Sequence, residues 1–417
     1  MNKLIKLSVA TSLALTSLYA AENFSEIFTE SHPSGEFRGI YQSNSQHAYA
    51  DGVIGSSSTS VLGGKVELAT DRFRGFDAVF TGYGTMSVGD NRNKTDGDYL
   101  NNGKDNGDYA LLGQAFLRYT NNDNFLQAGR FELDTPLLHS DDVRMVPDLF
   151  QGIYGAVVPF EDVRVEAGYI DRMAGWENGG DNAKFEKMGT LIDGMNVLNG
   201  YVTNQSAISF VGVSYADEKA PFSMRIFDYI TKNVMNQVYL DTGVTSGMFY
   251  VQAQYLRSIA DNQLKDFTNA DVIDSTVWGV RAAVTIEDTN IGLSIAYNES
   301  NKMENALNKG GTVDFFGGAN DPLYTSMDVS TEHQLGGAKA YKAEATYDYS
   351  EALNMGLAYA IFKKEDGFNN KETDLSVTYA LKENIDLKGM ISKIIETDVF
   401  GEETTNDRAR LAVAIKF

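Results

Sequence analysis

The sequence predicts an all-β protein, a transmembrane antiparallel β-barrel of about 18 strands with short periplasmic turns and long extracellular loops. Two observations support this fold class. Segments of about ten residues alternate apolar with polar or small side chains, as strands do when one face meets lipid. After Ala21 no apolar run is long enough for a spanning helix, so a membrane location requires a closed barrel.

The composition supports strands in a membrane and excludes several other classes. The 417 residues include 39 Gly, 22 Tyr and 23 Phe but only 6 Pro and no Cys, with a formal net charge of -22. Tyr and Phe enrichment suits strands that face lipid on one side. The acidic balance disfavours nucleic-acid binding, because it repels phosphates. The lack of cysteine excludes a disulfide scaffold and any Cys-ligated metal centre.

The amino-terminal residues have the pattern of a secretory signal peptide. Lys3 and Lys6 precede an apolar stretch, Leu7 to Leu18, and Tyr19-Ala20-Ala21 follows. A short membrane anchor is the alternative, but the apolar stretch is well under the ~20 residues that a spanning helix needs. We therefore expect a signal peptide at 1–20 and one barrel domain at 21–417, located in the Gram-negative cell outer membrane as a multi-pass barrel.

Alternation is visible in several segments, for example 163–169, 278–286 and 353–361, where apolar residues occupy every second position. A soluble β-sandwich would also alternate on one face, so the connections decide between the two folds. Eight connections are short: Thr70–Gly75, Thr120–Asp123, Val158–Asp162, Ala216–Pro221, Asp241–Gly247, Ile286–Asn290, Tyr349–Asn354 and Ala380–Ile385.

The connections between these turns are mostly long and polar, as extracellular loops of a barrel are. The long ones are Ser43–Thr59, Ser87–Asp108, Leu133–Leu149, Met173–Asn204, Ile259–Asp274, Ser300–Gly336 and Glu396–Asn406. Thr231–Val234 and Lys364–Lys371 depart from the pattern because they are short. The third loop, 133–149, is less polar than the others, and we expect it to fold into the lumen.

The last strand alternates from Asp407 to Phe417 and ends in an outward aromatic residue. This ending resembles the carboxyl-terminal signature by which outer-membrane proteins are recognised for insertion. It predicts contact of Phe417 with the barrel-assembly machinery, beside contacts with outer-membrane lipid and lipopolysaccharide. An edge strand that ends in Phe by chance is the alternative.

Basic residues recur on the faces that alternation assigns to the lumen, because a charge at mid-membrane on the lipid face would cost about 2–4 kcal/mol. This predicted basic track comprises Lys65, Arg164, Arg172, Arg225, Arg281, Lys342, Lys388, Arg408 and Arg410. Arg rows in a narrow pore favour anions and carboxylates. The alternative is structural: inward acids, among them Glu67, Glu166, Glu344 and Asp386, pair with these cations and only stiffen the wall.

The most distinctive segment, Gly129–Gly152, resembles the motif of the OprD-like family of substrate-specific porins. The matching positions are Gly129, Pro136, Asp141, Asp142, Arg144, Pro147, Phe150 and Gly152, preceded by a similar strand at 113–119. The resemblance implies an eighteen-strand barrel, monomeric or homotrimeric, with a basic ladder in the lumen and selectivity for small carboxylates. The later loops are strongly acidic, so the identity of the solute does not carry over.

Five residues are the first candidates for the pore constriction: Arg118, Arg130, Asp141, Asp142 and Arg144. A catalytic triad in His139-Ser140-Asp141 is disfavoured, because consecutive residues cannot normally orient one another as base and nucleophile. The remaining histidines show no metal-ligand spacing, and the Asp-rich loops lack the ordered spacing of a calcium loop. We therefore expect no enzyme activity, no metal site and no cofactor.

The function that these patterns favour is passive diffusion of small polar solutes, with selection for carboxylate-bearing or anionic molecules. The alternative is a surface adhesin or structural barrel whose acidic loops, above all Ser300–Gly336, bind cations or partners. Residue patterns alone leave open the solute, anion against cation preference, and the oligomeric state.

Overall fold

The structure, a computed structural model, describes residues 31–48, 54–89, 99–101, 107–140, 144–175, 181–188, 207–216, 221–268, 273–301, 322–331 and 336–417. The predicted signal peptide at 1–20 lies outside these residues. The strands are β1 (His32–Ala48), β2 (Ile54–Ala69), β3 (Phe76–Ser87), β4 (Tyr109–Asn121), β5 (Asn124–Phe131), β6 (Leu149–Phe160), β7 (Val163–Ala174), β8 (Glu186–Lys187), β9 (Ile208–Ala216), β10 (Phe222–Thr231), β11 (Met235–Ser246), β12 (Phe249–Ala260), β13 (Asp274–Ile286), β14 (Ile291–Ser300), β15 (Ala338–Asp348), β16 (Leu353–Lys364), β17 (Asn369–Lys382), β18 (Ile385–Thr397) and β19 (Glu403–Lys416).

Helical structure is minor in the described part of the chain. It consists of α1 (Asn262–Thr268), between β12 and β13, and a 3-10 turn at Glu287–Thr289, between β13 and β14. Within the same ranges, we find no helix with the length and apolarity to cross a membrane. Strands therefore provide the architecture.

The strands close into one antiparallel barrel, which confirms the predicted fold class. Apart from β8, each strand pairs with the strands that precede and follow it in the chain, and β1 pairs with both β2 and β19. Strand β7 pairs with β9, while the two-residue strand β8 pairs with β7 alone. The result is an 18-stranded barrel with one extra short strand. Closure leaves no unpaired sheet edge, which is the condition for a sheet in lipid.

Successive side chains point alternately outward and into the lumen. On β19, Leu411 and Ile415 are exposed on the outer surface, whereas Arg408 and Arg410 point inward. This division agrees with the faces that the sequence predicts for the last strand. The outer surface is apolar because these positions face lipid.

The two ends of the chain meet at the barrel seam. Gly35 and Phe417 exchange two backbone hydrogen bonds, of 2.9 and 3.0 Å, and the rings of Phe37 and Phe417 stack with centroids 5.2 Å apart. These bonds extend the pairing of β1 with β19 to the last residue. They lie at the end of the barrel that carries the short connections, which we call the turn end; the opposite end is the loop end.

The first connection is shorter than the sequence predicts. Residues 43–59 were expected to form a long loop, but β1 continues to Ala48 and β2 begins at Ile54. Ser43 pairs with Ser58, and Ser45 pairs with Ser56, on the outer face. These positions are polar because they lie near the loop end, so polarity here marks the edge of the apolar band rather than a loop.

Strand tilt is visible in the register. Phe37, near the turn end of β1, pairs with Gly64 of β2, which pairs with Gly84 of β3, which pairs with Ala110 of β4. Ala110 is the second residue from the loop end of its strand. A line of register partners therefore climbs toward the loop end as strand number rises, as the stagger of a tilted barrel requires.

Gly64 provides a test of backbone fit at this register. Its φ is 136°, and a Cβ there would lie 1.8 Å from the carbonyl oxygen of Glu36. We expect Gly64→Ala to lower the free energy of unfolding by about 1–3 kcal/mol, because the residue must keep a strained φ or displace β1. Urea titration of the protein refolded in lipid vesicles measures this change.

The matched control is Gly82→Ala on β3, where no heavy atom lies within 4 Å of the added Cβ. Equal losses for the two variants would contradict the assignment of close approach to Gly64.

Candidate functional site

The segment between β5 and β6 crosses the inside of the barrel. Near its beginning, the backbone N–H of Leu137 donates to the Tyr229 hydroxyl on β10 at 3.2 Å. Near its end, the Arg38 guanidinium on β1 donates to the carbonyl of Arg144 at 2.8 Å. Because β1 and β10 lie on nearly opposite sides of the barrel, these two contacts span its interior. We call the described residues of this connection, 132–140 and 144–148, the first inner segment.

Apolar packing and a local turn hold the first inner segment in place. Leu133 and Leu138 are buried in a cluster with Phe131, Tyr154 and other inward side chains of β3 to β12. The hydroxyl of Thr135 donates to the carbonyl of Leu138 at 2.9 Å, which closes the turn between the two leucines. The low polarity of this part of the sequence is thus explained by an apolar core inside the barrel.

A second segment, residues 322–331 between β14 and β15, also contacts inward side chains. The Tyr324 hydroxyl donates to Asp241 on β11 at 2.7 Å, and Lys342 on β15 donates to the carbonyl of Ser326 at 2.9 Å. Asp328 forms ion pairs with Arg410 at 2.6 Å and with Arg408 at 3.6 Å on β19. We call residues 322–331 the second inner segment.

Glu372 on β17 anchors the far end of the second inner segment. Its carboxylate accepts the backbone N–H groups of Val329 at 3.0 Å and Ser330 at 2.7 Å. Sequence reasoning placed these residues in an exposed acidic loop and missed this segment. Two inward carboxylates on one strand, Glu372 and Asp374, were the available signal, because buried carboxylates need donors.

Most of the predicted basic track lies beside carboxylates. The pairs are Lys65–Glu132 (3.7 Å), Arg164–Glu166 (3.5 Å), Arg225–Asp241 (3.8 Å), Arg281–Glu344 (4.0 Å), Lys342–Glu344 (3.7 Å) and the two arginines with Asp328. Lys388 lies on the same inward face of β18 as Met390 and Ser392. Ion pairing with inward acids, the alternative that the sequence left open, therefore applies to many of these residues.

The pairs differ in how much of the cation stays accessible. Lys65, Arg225 and Arg281 keep 40, 49 and 38 % of their side-chain surface exposed, and their carboxylate contacts are 3.7–4.0 Å long. Arg408 and Arg410 are exposed by less than 20 %. The first three therefore retain donors for a solute, whereas the β19 arginines are occupied by the second inner segment.

Arg130 and Arg172 do not follow the predicted inward face. Arg130 lies on the same outward face of β5 as the exposed residues Leu126 and Ala128. Its register partner on β6 is Gln151, and Gln151 pairs with Arg172 on β7, so both arginines share this outward face. For Arg130, the sequence misassigned the face because the inward positions of β5 are apolar as well. Phe125 and Phe131 pack under the first inner segment, so apolarity does not distinguish the two faces there. For Arg172, a β-bulge is responsible: Gly152 pairs with Ile170 but Gln151 pairs with Arg172, so Asp171 is an extra residue and the faces of β7 exchange there.

Local contacts near the loop end accommodate the two arginines. The Arg130 guanidinium lies over the ring of Phe185, 4.4 Å from its centroid, and donates to Gln151 at 3.1 Å. Arg172 donates to the carbonyl of Phe185 at 3.3 Å. Residues 181–188 thus cover this part of the wall.

The five constriction candidates are not gathered at one point. Arg118 is mostly buried and donates to Asp77 at 2.7 Å, where β3 begins at the turn end. Arg144 belongs to the first inner segment and is held through its carbonyl by Arg38. Asp141 and Asp142 lie outside the described residues. Arg144 is the candidate that the structure places on the first inner segment, through the hydrogen bond that its carbonyl accepts from Arg38.

The His139-Ser140 pair has separate partners. His139 Nδ1 lies 2.9 Å from Asp134 Oδ1, while the Ser140 hydroxyl donates to the carbonyl of Asp148. Burial acts to raise the pKa of Asp134, but the hydrogen bond and charge of His139 outweigh it and lower that pKa. The pair stabilises the turn of the first inner segment. Within the described ranges, no group of three or more His, Asp or Glu side chains is arranged to hold a metal ion.

Comparison with known proteins identifies the family. The family model described as "outer membrane porin, OprD family" matches residues 13–354. The chain belongs to this family. It is therefore an outer-membrane porin, and the family and barrel fold indicate a channel rather than an enzyme. The Gram-negative outer membrane is its location, as the sequence predicts.

Solved structures show the same fold at low sequence identity. Pseudomonas aeruginosa OccK9 (OpdG) is similar with a TM-score of 0.73 and 13% identity, covering 94% of this chain and 100% of that chain. Acinetobacter baumannii OccAB1 has a TM-score of 0.69 and 14% identity, covering 92% and 97%. P. aeruginosa OpdK with vanillate has a TM-score of 0.68 and 13% identity, covering 94% and 100%. No curated protein matches the sequence.

Tyr229 gives a direct test of the first inner segment. Tyr229→Phe removes the acceptor of the Leu137 N–H and leaves a buried donor unsatisfied, a loss of about 1–3 kcal/mol. We expect loosening of the segment and at least fivefold more frequent current transitions in planar-bilayer recordings of single channels. Tyr359→Phe, on the exposed outer face of β16, is the control. Indistinguishable traces for the two variants would contradict the anchoring role.

Glu372 tests the second inner segment independently. Glu372→Gln replaces one of the two acceptor oxygens by a donor, which cannot bind an N–H of Val329 or Ser330. We expect a measurable rise in mean conductance as residues 322–331 detach from β17. Asp386→Asn, whose carboxylate contacts Lys416 at the turn end, is the control. Unchanged conductance in Glu372→Gln would show that this anchor is dispensable.

Proposed function

We propose that this porin mediates passive diffusion of small polar solutes with a preference for carboxylate-bearing or anionic molecules. The observation that carries the proposal is the set of half-exposed lumen cations, Lys65, Arg225 and Arg281, whose own carboxylates lie only at 3.7–4.0 Å. A solute carboxylate offers such a cation a closer contact, which is bidentate for the two arginines. Lys388, exposed on the inner face of β18, adds a fourth donor.

The charge balance near the bore supports anion preference in spite of the acidic sequence. Glu372 and Asp328 are engaged by backbone donors or arginines, so their charges are largely compensated. Much of the net charge of -22 lies elsewhere in the chain, and exposed charges more than about 10 Å away are screened at ordinary ionic strength. Local cations in a narrow lumen therefore act more strongly on a permeating solute.

The two inner segments support a selective rather than a wide-open channel. We propose that residues 133–149 fold into the lumen and, together with 322–331, set the bore, with Arg144 at the constriction beside Asp141 and Asp142. One structural neighbour, OpdK, was solved with vanillate, an aromatic carboxylate. A similar solute chemistry is the expectation for this chain.

Partner contacts at the turn end form part of the same proposal. Phe417 is exposed on the outer surface next to Phe37, where the assembly machinery could reach it during insertion. We propose that this aromatic pair is the recognition feature at the barrel seam.

Ion selectivity tests the proposal. With a salt gradient across a planar bilayer, we expect a reversal potential that shows anion preference. Arg225→Gln combined with Arg281→Gln should shift it toward cations, because two lumen cations are removed, Asp241 loses its arginine, and Glu344 keeps only Lys342. The shift should grow as the salt concentration falls.

The control for this measurement is Arg257→Gln, which removes an arginine that pairs with Asp274 near the loop end of the outer face. Strong cation preference in the unmodified protein would overturn the selectivity proposal while leaving its channel function intact. An absence of conductance at any salt concentration would overturn the channel itself.

Solute chemistry can be tested separately. In liposome swelling assays, benzoate should enter faster than benzyl alcohol, a neutral molecule of similar size, through the unmodified protein. The Arg225→Gln and Arg281→Gln double variant should reduce this ratio severalfold. Equal rates for the two solutes in the unmodified protein would contradict selection by charge.

A further inference from the structure

Four lysines form a row on the outer wall of the barrel. They are Lys339 on β15, Lys363 on β16, Lys371 on β17 and Lys393 on β18, and we call them the lysine row. Each shares its face with outward apolar residues of the same strand. Lys339 is on the same face as Tyr341, and Lys363 is on the same face as Ile361 and Tyr359. They therefore face the surroundings of the barrel and not its lumen.

The register places the lysine row at nearly one level. Lys339 pairs directly with Lys363, while Lys371 pairs with Ile361, one outward position lower, and Lys393 pairs with Thr373, lower again. Register partners climb toward the loop end as strand number rises, because the strands tilt. A row that steps down from β15 to β18 consequently stays level in the membrane.

This level is the upper border of the lipid-facing band on the extracellular side. Apart from Thr373, the nearest outward positions below the row are apolar, namely Tyr341, Ile361, Leu375 and Ile391, and the loop end lies just above it. At the border of the apolar band of a membrane barrel, the lipid headgroups begin. Lysine stems can extend along the wall while the ammonium groups remain at the headgroups.

Among the residues that the structure describes, the row has few anionic partners. Glu299 lies 3.6 Å from Lys339, and Asp407 stands opposite Lys393 in the register. In the described ranges, no carboxylate comes within 4 Å of the ammonium groups of Lys363, Lys371 or Lys393. Like charges directly opposite on neighbouring strands, as in Lys339 and Lys363, destabilise a sheet. An external anion would relieve that repulsion.

An apolar groove lies below the row on the same side of the barrel. Its volume is about 360 Å³, and its walls include Tyr41, Leu375, Val377, Ile391 and Leu411 around Gly389 on β18. No heavy atom lies within 4 Å of a Cβ added at Gly389. Gly389 is four residues below Lys393, about 13 Å along the strand, which is within the reach of an acyl chain whose headgroup sits at the row.

We infer that the outer wall of β15 to β19 binds a phosphorylated glycolipid of the outer leaflet, with its phosphates on the lysine row and an acyl chain in the groove at Gly389. Clusters of lysine side chains next to lipid bind anionic headgroups. The groove supplies apolar contact for the chain of the same molecule. The site is separate from the permeation path, because the lysine row and the side chains of Leu375, Ile391 and Leu411 point away from the lumen.

Native mass spectrometry of the full-length protein in detergent tests this site. The probe is bisphosphorylated lipid A, compared with its fully dephosphorylated form. The triple variant Lys363→Gln, Lys371→Gln and Lys393→Gln should bind the phosphorylated probe at least tenfold more weakly. The control, Lys232→Gln, Lys265→Gln and Lys382→Gln, removes three lysines away from the row and should bind like the unmodified protein.

A charge-conserving triple, with arginine at the same three positions, should retain binding and thereby exclude a folding defect as the cause. Equal loss in the glutamine triple and its control would overturn the assignment of the phosphates to the row. Equal binding of the phosphorylated and dephosphorylated probes by the unmodified protein would also overturn it.

The groove is tested by filling it. Gly389→Leu should weaken binding of the acylated probe at least threefold, whereas Gly82→Leu, at another open outward glycine on β3, should not. Undiminished binding by Gly389→Leu would overturn the acyl part of the site.

Discussion

The need to pair every backbone N–H and C=O in lipid governs this structure. No water is available in the hydrocarbon layer, so an open sheet edge there would cost several kcal/mol for each unpaired group. The pairing of β1 with β19, completed by Gly35 and Phe417, removes that edge. Once the sheet is closed, every strand has one face toward lipid and one toward the lumen. The outward face carries mainly apolar side chains, and the inward face carries the ion pairs and the contacts with the two inner segments.

Part of the inner face is apolar and packs against the first inner segment. Residues from β3 to β12 pack Phe131, Tyr154 and Tyr229 against Leu133 and Leu138 of the first inner segment. On the other side, the second inner segment is held by charged and polar groups, Glu372 and Arg410 among them. One segment is thus seated by the hydrophobic effect and the other by hydrogen bonds and ion pairs, which makes the second more sensitive to charge-changing substitutions.

The cations of the barrel fall into three groups: closely paired arginines of the wall, accessible arginines of the lumen, and lysines of the outer face. Arg118 and Arg164 are paired closely and serve the wall, whereas Arg225 and Arg281 have distant carboxylates and remain accessible. On the outer face, the lysine row collects positive charge where the barrel meets headgroups. A strongly acidic chain can therefore present local basic surfaces both to a solute and to lipid, because net charge says little about the field at a particular site.

The sequence by itself determined the barrel, its strand number, the outward face of β19 and the family, because period-two alternation and the motif around Asp141 and Arg144 are local properties of the chain. It also indicated that the segment after Phe131 differs from the other loops. It did not determine the face of Arg130, since an inward apolar core hides the alternation of β5, nor that of Arg172, since a β-bulge at Asp171 changes the parity of β7. That core forms only when distant strands surround the first inner segment.

The second inner segment, the accessible subset of the lumen cations and the lysine row were decided by the tertiary structure alone. Asp328 meets Arg408 and Arg410 only because the barrel closes β19 onto β1 and curls the chain back on itself. Lys339, Lys363, Lys371 and Lys393 become neighbours only through the register of four strands and their tilt. Contacts across a closed sheet depend on stagger, and stagger is a property of the whole barrel that no single segment encodes.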